Sequence, residues 1–131
     1  FFIIYPLAQQ KNHVPRELLR RLKKNSKDLV IKRDYAEIKN ELENIENFLD
    51  EIKINNSNVI KIKPNNFLCD SFIKEYCVGN NDKKIFYIDS HHLSNAGSEF
   101  VLKKSLFKIL SNKILNSSHW IESQSKNQRK Y

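Results

Sequence analysis

The most regular feature of the chain is the spacing of Ile38, Leu42, Ile45, Leu49 and Ile52, in steps of four, three, four and three residues. That spacing puts all five on one face of a helix and predicts a helix from about Tyr35 to Lys53. The stripe covers only about two and a half heptads, too short for a coiled coil. A second stripe, Leu18, Leu19 and Leu22, follows Pro15, whose fixed φ suits a first helical turn, and predicts a helix up to about Asn25. A third, Phe100, Phe107, Leu110 and Ile114, predicts a helix from Ser94 to about Leu115. Short apolar runs supply the other signal. Phe1 to Leu7, Val59 to Lys63 (stopped by Pro64) and Ile85 to Ile88 read as strands. The unbroken apolar character of the first suits a central strand buried on both faces, as parallel sheets require. Polar or irregular links fill Ala8–Val14, Ser26–Asp34, Asn55–Asn58 and Phe67–Asn81. After Asn116 a polar tail containing Trp120 and Ile121 is expected to fray. The order strand, helix, helix, strand, strand, helix predicts an α/β sandwich.

Composition narrows the possibilities further. A chain of 131 residues, 40% apolar and 29% charged, is the size of one soluble domain. Only two glycines, Gly79 and Gly97, are present, which excludes a Walker loop or a GxGxxG loop, since both need several glycines close together. No apolar run approaches the roughly 20 residues that span a bilayer. Phe1 to Leu7 has no basic segment before it and no small-residue cleavage site after it, so neither an anchor nor a signal is expected in the chain. The absence of methionine and the opening on an apolar strand are expected of a processed chain or of a piece of a longer one.

The net charge of +8 is unevenly spread. Residues 11–33 hold nine bases against two acids, residues 34–102 seven against twelve, and residues 103–131 seven against one. The bases are mostly lysine, 18 against five arginines, in a chain also rich in Ile and Asn, a drift typical of AT-rich bacterial genomes. No RNP-like, KH-like or zinc-finger spacing accompanies the charge, so nucleic acid is not expected as a partner. The basic helix bearing Arg16, Arg20, Arg21, Lys23 and Lys24 reads as a solvated face, with contact to anionic headgroups as its alternative. His13 and His119 lie in polar surroundings and read as surface residues.

The one dense chemical cluster is Asp89-Ser90-His91-His92-Leu93-Ser94, between an apolar strand and a helix start, where α/β folds collect ligands and catalytic groups. An Asp three residues before a His can fold back to accept the Nδ1 hydrogen, leaving Nε2 as a base toward a serine hydroxyl. The other reading is two solvated histidines with Asp89 as a turn or cap acceptor. Cys69 and Cys77 have seven residues between them and are read either as a disulfide closing a small loop or as two buried free thiols. A Cys2His2 zinc site with His91 and His92 fits no zinc spacing, and no metal or cofactor is expected.

The segment Tyr87-Ile88-Asp89-Ser90-His91-His92-Leu93-Ser94-Asn95-Ala96-Gly97 resembles the last block of SGNH hydrolases, in the form found in SGNH domains fused to membrane acyltransferase-3 proteins. Phe2-Ile3-Ile4-Tyr5-Pro6-Leu7 with Val14-Pro15-Arg16-Glu17-Leu18, then Val59 to Ile62 and Phe67-Leu68-Cys69 with Cys77, follow that subfamily's order. The resemblance implies a partial three-layer sandwich with a mostly parallel sheet whose N-terminal portion is missing. Residues 1–115 would be the C-terminal portion of the domain and 116–131 a polar tail. It implies that Asp89 orients and His92 acts as general base, with His91 a neighbour. The family's Gly-Asp-Ser nucleophile block is absent: Cys69-Asp70-Ser71 and Ile88-Asp89-Ser90 contain Asp-Ser but match it in neither position nor surroundings. Ala96-Gly97-Ser98 also stands where the family usually has Gly-Ala.

By resemblance the intact protein is an O-acyltransferase on the periplasmic face of the bacterial inner membrane. It would take an acyl group, most often acetyl, from a membrane acyltransferase domain through a seryl ester to a hydroxyl of a cell-envelope polysaccharide such as lipopolysaccharide. The periplasm is oxidising, which suits a disulfide. The chain alone is expected to be inactive and to form no stable homo-oligomer. The alternatives are a carbohydrate esterase or lipase-like SGNH hydrolase, and a non-catalytic basic binding module.

Overall fold

The computed structural model describes residues 1–53 and 59–127, with side chains as far as residue 112. The described elements run β1 (Phe2–Ile4), α1 (Val14–Lys23), β2 (Lys32–Asp34), α2 (Tyr35–Glu51), β3 (Ile60–Ile62), α3 (Asn65–Leu68), β4 (Tyr76–Val78) and α4 (Asn95–Asn127). The expected break at Asn55–Asn58 lies outside the described residues. The chain forms two compact units, Phe1–Val101 and Leu102–Tyr131.

In the first unit β1 and β3 pair in parallel, Phe2 opposite Ile60 and Ile4 opposite Ile62. β2 and β4 form a separate antiparallel pair. The fold is therefore α/β, with one parallel and one antiparallel two-stranded sheet among the described residues. The helices start where local chemistry favours them. Asp34 caps α2 by accepting the amides of Ala36 and Glu37. In α1, Pro15 sits in the first turn and Glu17 faces the last-turn bases. Its carboxylate accepts from Arg20 and Arg21, which lower its pKa to about 2. Asn25 closes α1 with a left-handed φ of 51°.

Three sequence expectations need correction. β1 is not buried on both faces: Phe2 and Ile4 are 63% and 65% exposed, because β3 is the one strand paired to it among the described residues. Ile85 to Ile88 is not a regular strand. It is held by single bridges, Asn80 to Ile85 and Tyr87 to Leu93, and only its middle residues, Phe86 and Tyr87, are fully buried. The helix predicted from the α4 stripe is present, with Phe107 and Leu110 exposed on it. Finally, α4 stays helical to Asn127 instead of ending near Leu115, since neither glycine nor proline follows Gly97. β2 and β4 were not foreseen. Lys32-Arg33-Asp34 carries no apolar alternation, and its extended form follows from pairing with Tyr76–Val78.

The main core of the first unit gathers Val14, Ile31, Ile62, Leu68, Val78, Phe86, Tyr87 and Val101. Phe72, Phe86 and Phe100 form a ring cluster with centroids 5.3–5.5 Å apart. A smaller core gathers Ala8, Ile38, Cys69 and Cys77. A disulfide joins Cys69 to Cys77 at the heart of it, and no cysteine is free.

Closing so short a loop lowers the entropy of the unfolded chain, which predicts that a Cys69→Ser, Cys77→Ser variant loses about 2–3 kcal/mol of stability. Urea unfolding reads the loss as a lower midpoint, and an unchanged midpoint would contradict it.

Candidate active site

Asp89 to Leu93 forms a tight loop leading into α4, and every part of it is tied down. The Ile88 amide donates to the His92 carbonyl at 2.9 Å, closing the turn. Asp89 Oδ1 accepts the backbone amides of His91 at 2.7 Å and His92 at 2.8 Å. Its other oxygen, Oδ2, lies 2.7 Å from His92 Nδ1. One carboxylate thus shapes the turn and meets the imidazole that the turn carries. Asp89 is the better acceptor for being ionised. The His92 ring N–H first, and then the two amides, hold its carboxyl well below the usual carboxylate range.

Two backbone hydrogen bonds from the stretch between β1 and α1 clamp the loop from the side. The Gln10 amide donates to Ser90 O at 2.7 Å and the Val14 amide to Asp89 O at 3.0 Å. The donor segment is fixed in turn. Asn65 accepts the Ala8 amide and donates to Pro6 O, Arg33 donates to Gln9 O, and the buried Tyr87 hydroxyl donates to Ala8 O at 2.7 Å. Burial pushes the Tyr87 hydroxyl pKa upward, so it remains a neutral donor. Gln10 is itself buried and reaches Cys77 O with Nε2 at 3.3 Å, linking the disulfide region to the loop.

On the other side, Ser94 caps α4: Oγ accepts the Gly97 amide and donates to Ile85 O. Gly97 passes so close to the preceding segment that an added Cβ would lie 2.1 Å from Phe86 O, a backbone atom that cannot swing aside. These supports are mostly backbone contacts and give little sequence signal. The exception is Gly97, notable as one of only two glycines.

Asp89 and His92, the two residues singled out as a catalytic pair, are brought together directly. His91 is not equivalent: its Nδ1 is 3.7 Å from Asp89 Oδ1 and 3.0 Å from Ser90 Oγ. With Nδ1 of His92 turned to Asp89, Nε2 is the nitrogen left to act as a base, on a side chain 63% exposed. Among the described residues no serine hydroxyl bonds to His92. Ser71 Oγ donates to Phe67 O, Ser90 Oγ meets His91, and Ser94 is the helix cap. The arrangement can accept and return a proton, and these serines are not placed as its nucleophile. The two clefts lined by α2 residues do not include Asp89, His91 or His92.

Two outcomes follow from this geometry. The folded pKa of Asp89 is depressed, so its contribution to stability is fully present above the unfolded value near 3.9 and fades as pH falls through the folded value. A ¹³C NMR titration is expected to place the Asp89 carboxyl midpoint below about 3.9, and a midpoint at or above it would contradict the hydrogen-bond pattern. Gly97→Ala is expected to cost at least about 1–3 kcal/mol through forced displacement of the Phe86 backbone, and an unchanged urea midpoint would contradict that.

The family model of the SGNH domain fused to AT3 domains matches residues 1–104, the stretch that contains the whole of this loop and its supports. No curated protein and no solved structure matches the chain. The match covers most of the sequence and agrees with the resemblance carried by the Asp-x-x-His-Leu-Ser block, so this chain belongs to the family of SGNH domains fused to AT3 domains.

Proposed function

We propose that this chain supplies the oriented general base of a seryl-ester acyl transfer in an AT3-fused O-acyltransferase. The observation that carries the reading is the 2.7 Å contact between Asp89 Oδ2 and His92 Nδ1, made by a carboxylate that also fixes the two amides of the turn. In the first half-reaction His92 Nε2 takes the proton of a serine hydroxyl as that oxygen attacks the acyl carbonyl, then returns it to the leaving group. In the second half Nε2 takes the proton of the incoming acceptor hydroxyl and gives it back to the departing serine oxygen. Asp89 holds the Nδ1–H tautomer and stabilises the imidazolium at each step. No Gly-Asp-Ser block occurs in the sequence, so the nucleophile and oxyanion hole are assigned to a segment outside residues 1–131.

On this reading the two sheets belong to a mostly parallel three-layer sandwich completed by that segment. The acyl group, most often acetyl, comes from the membrane acyltransferase domain, and the acceptor is a cell-envelope polysaccharide, lipopolysaccharide included, at the periplasmic face. No helix among the described residues is long and apolar enough to cross a membrane, and on this reading the AT3 domain is the membrane part. Hydrolysis is the second reading. The exposure of the His92 ring leaves water access to the base, and water in place of the sugar gives an esterase by the same steps.

In the protein that includes the AT3 domain and the serine block, His92→Ala is expected to lower acyl transfer by about 10²–10⁴-fold, and His91→Ala far less. Near wild-type turnover in His92→Ala, or the larger loss in His91→Ala, overturns the assignment. The 131-residue chain alone is expected to hydrolyse p-nitrophenyl acetate no faster than buffer.

A further inference from the structure

Three groups in the base loop have chemistry that proton transfer does not use in full. Asp89, His91 and His92 each offer a ligand atom, and these atoms lie within 4.8 Å of one another. His92 Nδ1 is 2.7 Å from Asp89 Oδ2, His91 Nδ1 is 3.7 Å from Asp89 Oδ1, and the two rings stand with centroids 4.1 Å apart. Zinc takes imidazole nitrogen and carboxylate oxygen at about 2.0–2.2 Å, so tetrahedral donors sit roughly 3.3 Å apart, between those two separations. The turn already holds the backbone of all three residues, and both imidazoles are more than half exposed, so their rings need only small rotations to converge. The disulfide removes the two thiols that would otherwise compete for a soft cation.

We propose that Asp89, His91 and His92 bind one divalent first-row cation of the zinc class, reversibly and in place of the Asp89–His92 hydrogen bond. The step balances without gain or loss of protons. The Nδ1 hydrogen of His92 moves to Nε2 through solvent, the Nδ1 lone pair goes to the metal, and the carboxylate exchanges a hydrogen bond for a metal bond. Ser90 Oγ releases His91 Nδ1 to the metal, and water fills the remaining position. The consequence rests on the base reading above: an imidazole metallated at Nδ1 carries its hydrogen on Nε2 and cannot accept one from a serine. The cation is then an inhibitor that holds the base in the wrong tautomer, and His91 acquires a use as its third ligand.

The test is a titration of the ¹⁵N-labelled 131-residue chain with zinc chloride, followed at the histidine ring nitrogens. One saturable site is expected, with the Nδ1 signals of His91 and His92 moving together, His13 unmoved and EDTA reversing the change. His91→Ala and Asp89→Asn should each weaken binding by no less than the roughly tenfold that losing even an outer partner costs. An unchanged backbone amide spectrum in His91→Ala shows that the loop still folds. Absence of saturable binding, movement of His13 in place of the pair, or full affinity in His91→Ala overturns the site. In the AT3-containing protein, zinc should suppress acyl transfer and EDTA restore it. Ring shifts without inhibition leave the metal site standing and fault the base reading, whereas inhibition without ring shifts overturns the site.

Discussion

The carboxylate of Asp89 is the point on which the functional end of this molecule depends. It accepts two backbone amides through one oxygen and meets an imidazole through the other, all within three residues of itself. Hydrogen bonds to an ionised acceptor are about twice as strong as neutral ones, and here each reinforces the others because all three favour the same charge state. The amide bonds decide the shape of the turn, and the turn decides where the ring of His92 stands. Removing the carboxylate would therefore disturb the orientation of the imidazole and the backbone beneath it together.

Such a turn keeps its geometry only if its ends are immobile, and the rest of the first unit supplies that. The segment from Pro6 to Val14 lies beside the loop and donates two amides to its carbonyls. That segment is pinned by Asn65, Arg33 and the Tyr87 hydroxyl, which come from three different parts of the chain. Cys69 and Cys77 add a covalent tie one step further out, through the carbonyl that Gln10 reaches. On the far side the helix start is brought hard against Phe86 at Gly97, where a side chain would not fit. The Asp89–His92 loop is thus exposed in its side chains and held in its backbone, the combination the proposed proton transfer would need.

The same exposure explains why the loop has more than one chemical option. With a hydrogen between them Asp89 and His92 form a hydrogen-bonded pair, and with a metal between them, on the proposal above, they become part of a cation site. The two states exclude each other because they need the same lone pair on Nδ1. His91 has no part in the first and completes the second.

Much of this was open to reading along the chain. The periodicity of Ile38 to Ile52 defined α2 to within two residues at its C-terminal end, Pro15 marked the first turn of α1, and the Asp-x-x-His spacing marked the pair that meets. These are local effects, in which a residue's neighbours in sequence are also its neighbours in space. Burial was less legible. Phe2 and Ile4 read as buried by their apolarity and are exposed, because apolarity states a preference and only the presence of a packing partner satisfies it. The extended Lys32-Arg33-Asp34, the backbone clamps from Gln10 and Val14, and the close approach at Gly97 were likewise invisible, since each depends on segments tens of residues apart being brought together. The sequence by itself determined which carboxylate and imidazole meet, since Asp89 and His92 lie three residues apart in one turn. Only the tertiary structure decided how that pair is held, because the amides of Gln10 and Val14 and the close approach at Gly97 come from segments outside the turn.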